Sequence, residues 1–164
     1  MHTPVPFPYS RPVEASIMGG AHYRDNGDGT FTVLANGTMN PASGFSYLEL
    51  YFMGLLPASG VPDFFVLRNQ QNVGRTPEGN NIVRADKIPI IIRDVIAHNG
   101  PRVPSFENAP KAYNTAMVVV TLEGRQPSAA MLEQVEGIRA AWIDYWQKIT
   151  GGVSTMSTNT GRSP

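Results

Sequence analysis

The chain contains no cysteine. Disulfides, thiolate-bound zinc and thiol nucleophiles are thereby excluded. Neither sign of charge is in excess: 13 basic and 13 acidic residues leave a formal net charge of +0. No basic face for nucleic acid and no field toward an anionic membrane is expected. No run approaches the roughly 20 apolar residues that cross a bilayer. Histidine is scarce, and the three present, His2, His22 and His98, show no i, i+4 pair and hence no H-E-x-x-H. There is no G-x-S-x-G nucleophile turn, and the glycines do not follow a strand as a phosphate-binding loop requires.

What remains is a 164-residue chain, 41% apolar and 16% charged, with 16 glycines and 14 prolines. Its size suits one domain with a sizeable core, and its composition predicts many turns. A single domain over 1–152 and a polar, flexible tail over 153–164 are expected. The opening "MHTPVPFPYSRP" has neither a basic nor an apolar leader region, and it reads as extended, proline-rich chain.

Residues 21–35, "AHYRDNGDGTFTVLA", predict a β-hairpin, because "DNGDG" tolerates positive φ and "TFTVL" is β-branched and aromatic. Residues 46–56 predict a helix. Ser46 is the N-cap, Glu49 closes a capping box, and Pro57 and Gly60 end the helix. Apolar residues on all its sides place this helix in the interior. "DFFVL" (63–67) predicts a short buried strand, "RNQQNVGRTPEGNN" a polar loop and "NIVRA" a further strand. Lys87–Ile90 reads as a strand and Ile92–His98 as a short helix closed by Asn99 and Gly100. "PRVPSFENAPKAYN" reads as irregular. The run 115–124, "TAMVVVTLEG", predicts a strand buried on both faces. A long helix over 128–150 follows, with Leu132, Val135, Ile138, Trp142, Tyr145 and Ile149 on one stripe. The fold class is α+β: a small sheet with a β-hairpin, one buried central helix and a long C-terminal helix.

Few residues offer chemistry. "DNGDG" fails the EF-hand pattern, with Gly27 at the third position and Asn36 at the twelfth, so it reads as a tight turn. His98 suits the negative end of a helix dipole. Trp142 and Trp146, one turn apart, read as core. Glu49 is the notable acid, set in an apolar helix between Leu48 and Leu50. A buried carboxylate needs a partner, a metal or a hydrogen-bond network. Capping or structural pairing satisfies that need, as does a catalytic or metal role. A hydrolase built from Glu49, His22 and Asp25 is a further alternative.

The stretch "SYLELYFMGLLPASGVPDFFVL" (46–67) resembles a segment of predicted secreted bacterial zinc metallopeptidases of zincin type. "SIMGGAHYRDNGDGTFTV", "IIRDVIAHNGPRVP" and a C-terminal helix with a Trp and Tyr cluster are similar to the same family. The linked blocks cover most of 14–150. The resemblance implies that Ser16 and Met18 form a metzincin-like Met-turn, the floor beneath a zinc ion. It implies a supporting acid at Glu49 and, by position, a third zinc ligand at His2. It also implies a secreted or extracytoplasmic location and a peptide or protein substrate. The helix that carries H-E-x-x-H in that family is absent from these 164 residues. The chain is therefore expected to be the C-terminal part of a zinc-dependent peptidase, in which zinc-bound water hydrolyses peptide bonds only in the complete enzyme. Alone it is expected to bind no zinc, to be inactive, and to self-associate through apolar surface left uncovered. The alternative is a non-catalytic binding or structural module of a secreted bacterial protein.

Overall fold

The computed structural model describes residues 15–16, 19–36 and 44–158. In chain order the elements are β1 (Ala15–Ser16), β2 (Gly19–Asp25), β3 (Thr30–Asn36), α1 (Tyr47–Met53), β4 (Phe64–Arg75), β5 (Asn81–Ile90), α2 (Ile92–Asn99), β6 (Ala112–Asn114), α3 (Ala129–Ile149) and β7 (Thr155–Ser157). Helices and strands are mixed as an α+β fold, with hairpins in an antiparallel sheet and a long C-terminal helix. The main sheet runs β1-β2-β3-β5-β4, and β6 and β7 form a separate parallel pair.

The β2–β3 hairpin forms for the reason its turn residues indicate. Gly27 and Gly29 take φ of 82° and 79°. The Asp25 carboxylate accepts from the Gly27 N–H at 2.9 Å, and that of Asp28 from the Thr30 N–H at 2.9 Å. These bonds satisfy backbone groups that the turn leaves out of the ladder.

The second hairpin departs from the sequence reading. The polar loop expected after Leu67 is strand: β4 continues to Arg75, and "NIVRA" and Lys87–Ile90 are one strand, β5. Backbone pairing overrides the weak strand propensity of Asn, Gln and Arg here. β5 is held on both sides, with Ile82–Arg84 against Thr30–Thr32 of β3 and the same residues against β4. Two bulges, at Arg68/Gln71 and Asn72/Gly74, interrupt β4. Buried Phe31, Thr32, Phe64 and Val83 form the sheet's core, and the Phe31 and Phe65 rings lie 5.7 Å apart.

α1 is shorter and less enclosed than expected. It ends at Met53, because Gly54 adopts the left-handed conformation at φ 75° and its N–H closes back onto Leu50 and Tyr51 carbonyls. Leu50 and Tyr51 are buried, but Phe52 is 52% exposed, so one face of the helix is open.

The run 115–124 is not a buried strand. From Ala116 onward it has no ladder partner among the described residues, and Val118, Val120 and Leu122 are 80–84% exposed. β-branched composition favours extended chain but does not supply a neighbouring strand. α3 starts as expected, with the Ser128 hydroxyl accepting from the Met131 N–H. Its apolar stripe is covered only toward the C-terminal end. Ile149 is buried and Trp146 meets Phe45 and Tyr113 edge-on, whereas Leu132 and Ile138 are exposed. The chain after Gly152, read as flexible tail, supplies β7, with Ser154, Met156 and Thr158 buried.

Two substitutions test α1. Ser46→Ala should cost about 1 kcal/mol through the lost cap, seen as a lower urea midpoint at unchanged slope. Gly54→Ala should exceed the roughly 1–2 kcal/mol of a left-handed residue alone. Its methyl would lie 2.5 Å from the Ala109 Cβ and 2.6 Å from the Arg102 Cζ.

Candidate functional site

The chemistry-bearing groups gather at the two ends of α1. At its N-terminus, the Glu49 N–H donates to the Ser46 hydroxyl at 3.2 Å, and the Ser46 N–H donates to Glu49 Oε2 at 2.6 Å. The predicted capping box is therefore present, and it accounts for one carboxylate oxygen. The other, Oε1, is enclosed and has no hydrogen-bond partner among the described residues. The Trp142 indole Nε1 on α3 is in the same condition. Enclosed, unpaired polar atoms are costly and are few in native folds.

At the C-terminus of α1, two cations meet the helix carbonyls. Arg102 donates through Nε to the Phe52 carbonyl at 2.7 Å and through Nη2 to that of Met53 at 3.2 Å, and its Nη1 bonds the Pro104 carbonyl. Lys111 Nζ donates to the Gly54 and Phe106 carbonyls at 2.5 Å each and sits 4.1 Å from the Phe106 ring centroid. These charges match the negative end of the helix dipole. Burial pushes the Lys111 ammonium below its ordinary range; the Arg102 charge adds to this and Glu107 opposes it. The Lys111 main chain also works: its carbonyl accepts from the Ser154 hydroxyl and the Thr155 N–H at 2.9 Å each. Ser154 in turn accepts from the Trp146 indole N–H at 2.9 Å.

Sequence reasoning missed this cation pair. Arg102 and Lys111 lie about fifty residues from the carbonyls they bind, so no local spacing announces them. The sole local hint is Gly54, which closes α1 without a basic residue in its last turn.

The other predicted residues are distributed as follows. Ser16 lies on β1 and pairs with Gly19 of β2. Met18 and His2 fall outside the described residues. His22 lies on β2 opposite Ala35, beside the bulge at Tyr23. Asp25 is engaged by Lys87 Nζ at 2.8 Å and by the Gly27 N–H. His98 is exposed, and its Nδ1 donates to the Asp94 carbonyl at 2.8 Å. Among the described residues, no three His, Cys, Asp or Glu side chains converge on a metal-sized position. No described helix is long and apolar enough to cross a membrane.

Comparison with protein-family models, with curated proteins and with solved structures gives no match.

Two measurements follow from these hydrogen bonds and charges. Lys111→Met leaves the carbonyls of Gly54 and Phe106 without their charged donor and should lower stability by about 2 kcal/mol in urea unfolding. The second is a pH series. Asp25 and Asp28 lie below the ordinary carboxylate range, chiefly through the Lys87 and Thr30 side chains and then through turn N–H groups. Glu78, Glu107 and Glu136 are lowered in the same sense, first by the side chains of Thr76, Ser105 and Arg139. A carboxyl lowered on folding contributes stability above its unfolded value, and the contribution disappears as pH falls through the folded value. The urea midpoint should accordingly drop between about pH 5 and pH 3, and Asp28→Asn should make that drop shallower.

Proposed function

We propose that this chain is the C-terminal part of a zinc-dependent, zincin-type peptidase that acts on peptides or proteins outside the cytoplasm. Linked blocks over most of 14–150, the C-terminal helix with its Trp and Tyr cluster included, carry the resemblance, and within it Ser16 and Met18 supply the floor beneath the metal. The described side chains do not fit a zinc ion by themselves, because no trio of ligands converges. In this reading the histidines and the glutamate of H-E-x-x-H belong to polypeptide outside these 164 residues, His2 is the third zinc ligand, and no hydrolytic step is assigned to this chain alone.

Glu49 carries the reading. One of its oxygens is used by the cap and the other is enclosed without a partner among the described residues. A capping acid needs only the first bond. The second oxygen is an enclosed acceptor that the cap leaves unused, and in this reading Glu49 is the supporting acid. A non-catalytic structural or binding module is the second reading. It is favoured by Asp25 and Asp28, whose carboxylates serve turn amides and a salt bridge.

The deciding experiment begins with the coding sequence immediately upstream. An in-frame H-E-x-x-H is expected, and the longer protein should bind one zinc and cleave a peptide, while the 164-residue chain should do neither. An unrelated upstream gene, or tight stoichiometric zinc binding by the 164 residues alone, refutes the proposal. In the longer protein, Glu49→Gln retains a capping residue and should lower kcat/KM by about tenfold or more at unchanged Tm. Unchanged activity would reduce Glu49 to a cap and favour the structural module.

A further inference from the structure

We propose that Asn99–Gly100, at the end of α2, is a self-modification site, where the asparagine cyclises and hydrolyses to aspartate or isoaspartate and α2 loses its last turn. The proposal goes beyond the peptidase reading and does not depend on it.

The chemistry needs only water. The Gly100 backbone nitrogen attacks the Asn99 Cγ and a C–N bond forms. The side-chain nitrogen departs as ammonia, carrying the proton that the Gly100 nitrogen gives up. Water then opens the five-membered imide at either carbonyl. One opening gives aspartate; the other gives isoaspartate, in which the main chain runs through the side-chain carboxyl carbon. Glycine hinders the attack least, because no Cβ stands beside its nitrogen.

The sequence holds three Asn–Gly pairs, at 26–27, 36–37 and 99–100. Gly37 falls outside the described residues. The other two pairs are both exposed, and both glycine N–H groups are bonded. That of Gly27 donates to the Asp25 carboxylate at 2.9 Å, and that of Gly100 to the Ile96 carbonyl at 2.8 Å. The pairs differ in what must open before the nitrogen can attack. Asn26 is fixed by three bonds. Its Nδ2 donates to Thr30 Oγ1 at 3.0 Å, its Oδ1 accepts from the Thr32 hydroxyl at 3.1 Å, and its N–H donates to the Thr30 carbonyl at 3.1 Å. Thr30 and Thr32 are buried on β3, which has β2 and β5 on its two sides. Swinging the Asn26 Cγ onto the Gly27 nitrogen therefore breaks bonds to a part of the sheet that does not move with it.

Asn99 is held within its own helix. Its Nδ2 donates to the Val95 carbonyl at 2.9 Å, one turn back. α2 has 8 residues, none of them buried, and Ile91 at its start makes no side-chain cap. So short a helix gains little from its own backbone, and no buried residue anchors its last turn. One fraying event frees the Gly100 N–H, the Asn99 side chain and the helical backbone angle together. The product then keeps the turn open. Aspartate replaces a donor to the Val95 carbonyl with an acceptor, and it sets a negative charge at the negative end of the helix dipole. Isoaspartate adds a carbon to the main chain and moves the Gly100 N–H off the Ile96 carbonyl.

The test incubates the purified 164-residue chain in mildly alkaline buffer, with a parallel sample in concentrated urea, and follows both by peptide mapping and mass spectrometry. In urea, Asn26 and Asn99 should convert at similar rates. In buffer, Asn99 should convert at least about tenfold faster than Asn26. Asn99→Gln, whose ring would have six members, should remove the mass gain from its peptide. In the converted protein, hydrogen exchange at the Gly100 amide should be faster than in the unconverted one. The proposal is overturned if the folded chain converts the two sites equally or Asn26 first. It is also overturned if Asn99 stays intact in buffer while it converts in urea, if the mass gain survives Asn99→Gln, or if conversion leaves Gly100 exchange unchanged. Zinc binding and peptidase activity bear on none of these outcomes.

Discussion

Lys111 is the joint on which the helical half of this molecule depends. Its ammonium binds carbonyls at the end of α1, and its own carbonyl accepts from Ser154 and Thr155 beside β7. Ser154 receives the Trp146 indole N–H, so α3 is tied through it to the same residue. A single residue thus links α1, β7 and α3, using side chain in one direction and backbone in the other. Such a joint tolerates little rearrangement, because a carbonyl freed from a charged donor must find water or remain unsatisfied. Arg102 reinforces it by binding the neighbouring carbonyls of Phe52 and Met53.

Local signals in the sequence were accurate where the structure is itself local. Ser46 and Glu49 specify the start of α1 through bonds three residues apart, and Ser128 does the same for α3. The β2–β3 turn follows from Asp25, Gly27, Asp28 and Gly29. Reading failed where a distant partner decides the outcome. Asn69 to Arg75 look like loop by composition, yet β5 draws most of them into a ladder. Residues 116–122 look like core by composition, yet no described strand pairs with them. Val and Thr report a preference for extended chain, and whether that chain is covered depends on something their order does not encode.

The candidate site divides along the same line. Glu49 was visible, with its capping function, because both follow from the S-x-x-E spacing. Its enclosed second oxygen was not, since burial of one atom depends on how α1 packs. The cations at the other end of α1 were invisible for the reason of range already given. The Ser16 and Met18 reading has yet another basis, a likeness across linked blocks.

The outer edges of the main sheet have a consequence for how this molecule can grow. One edge, β1, is two residues long; the other, β4, is broken by two bulges and carries Arg68 and Arg75. Short, bulged and charged edges are poor templates for strand addition. The sheet therefore has a valency near zero. Strand addition that runs on through these two described edges, as in a fibre, is disfavoured.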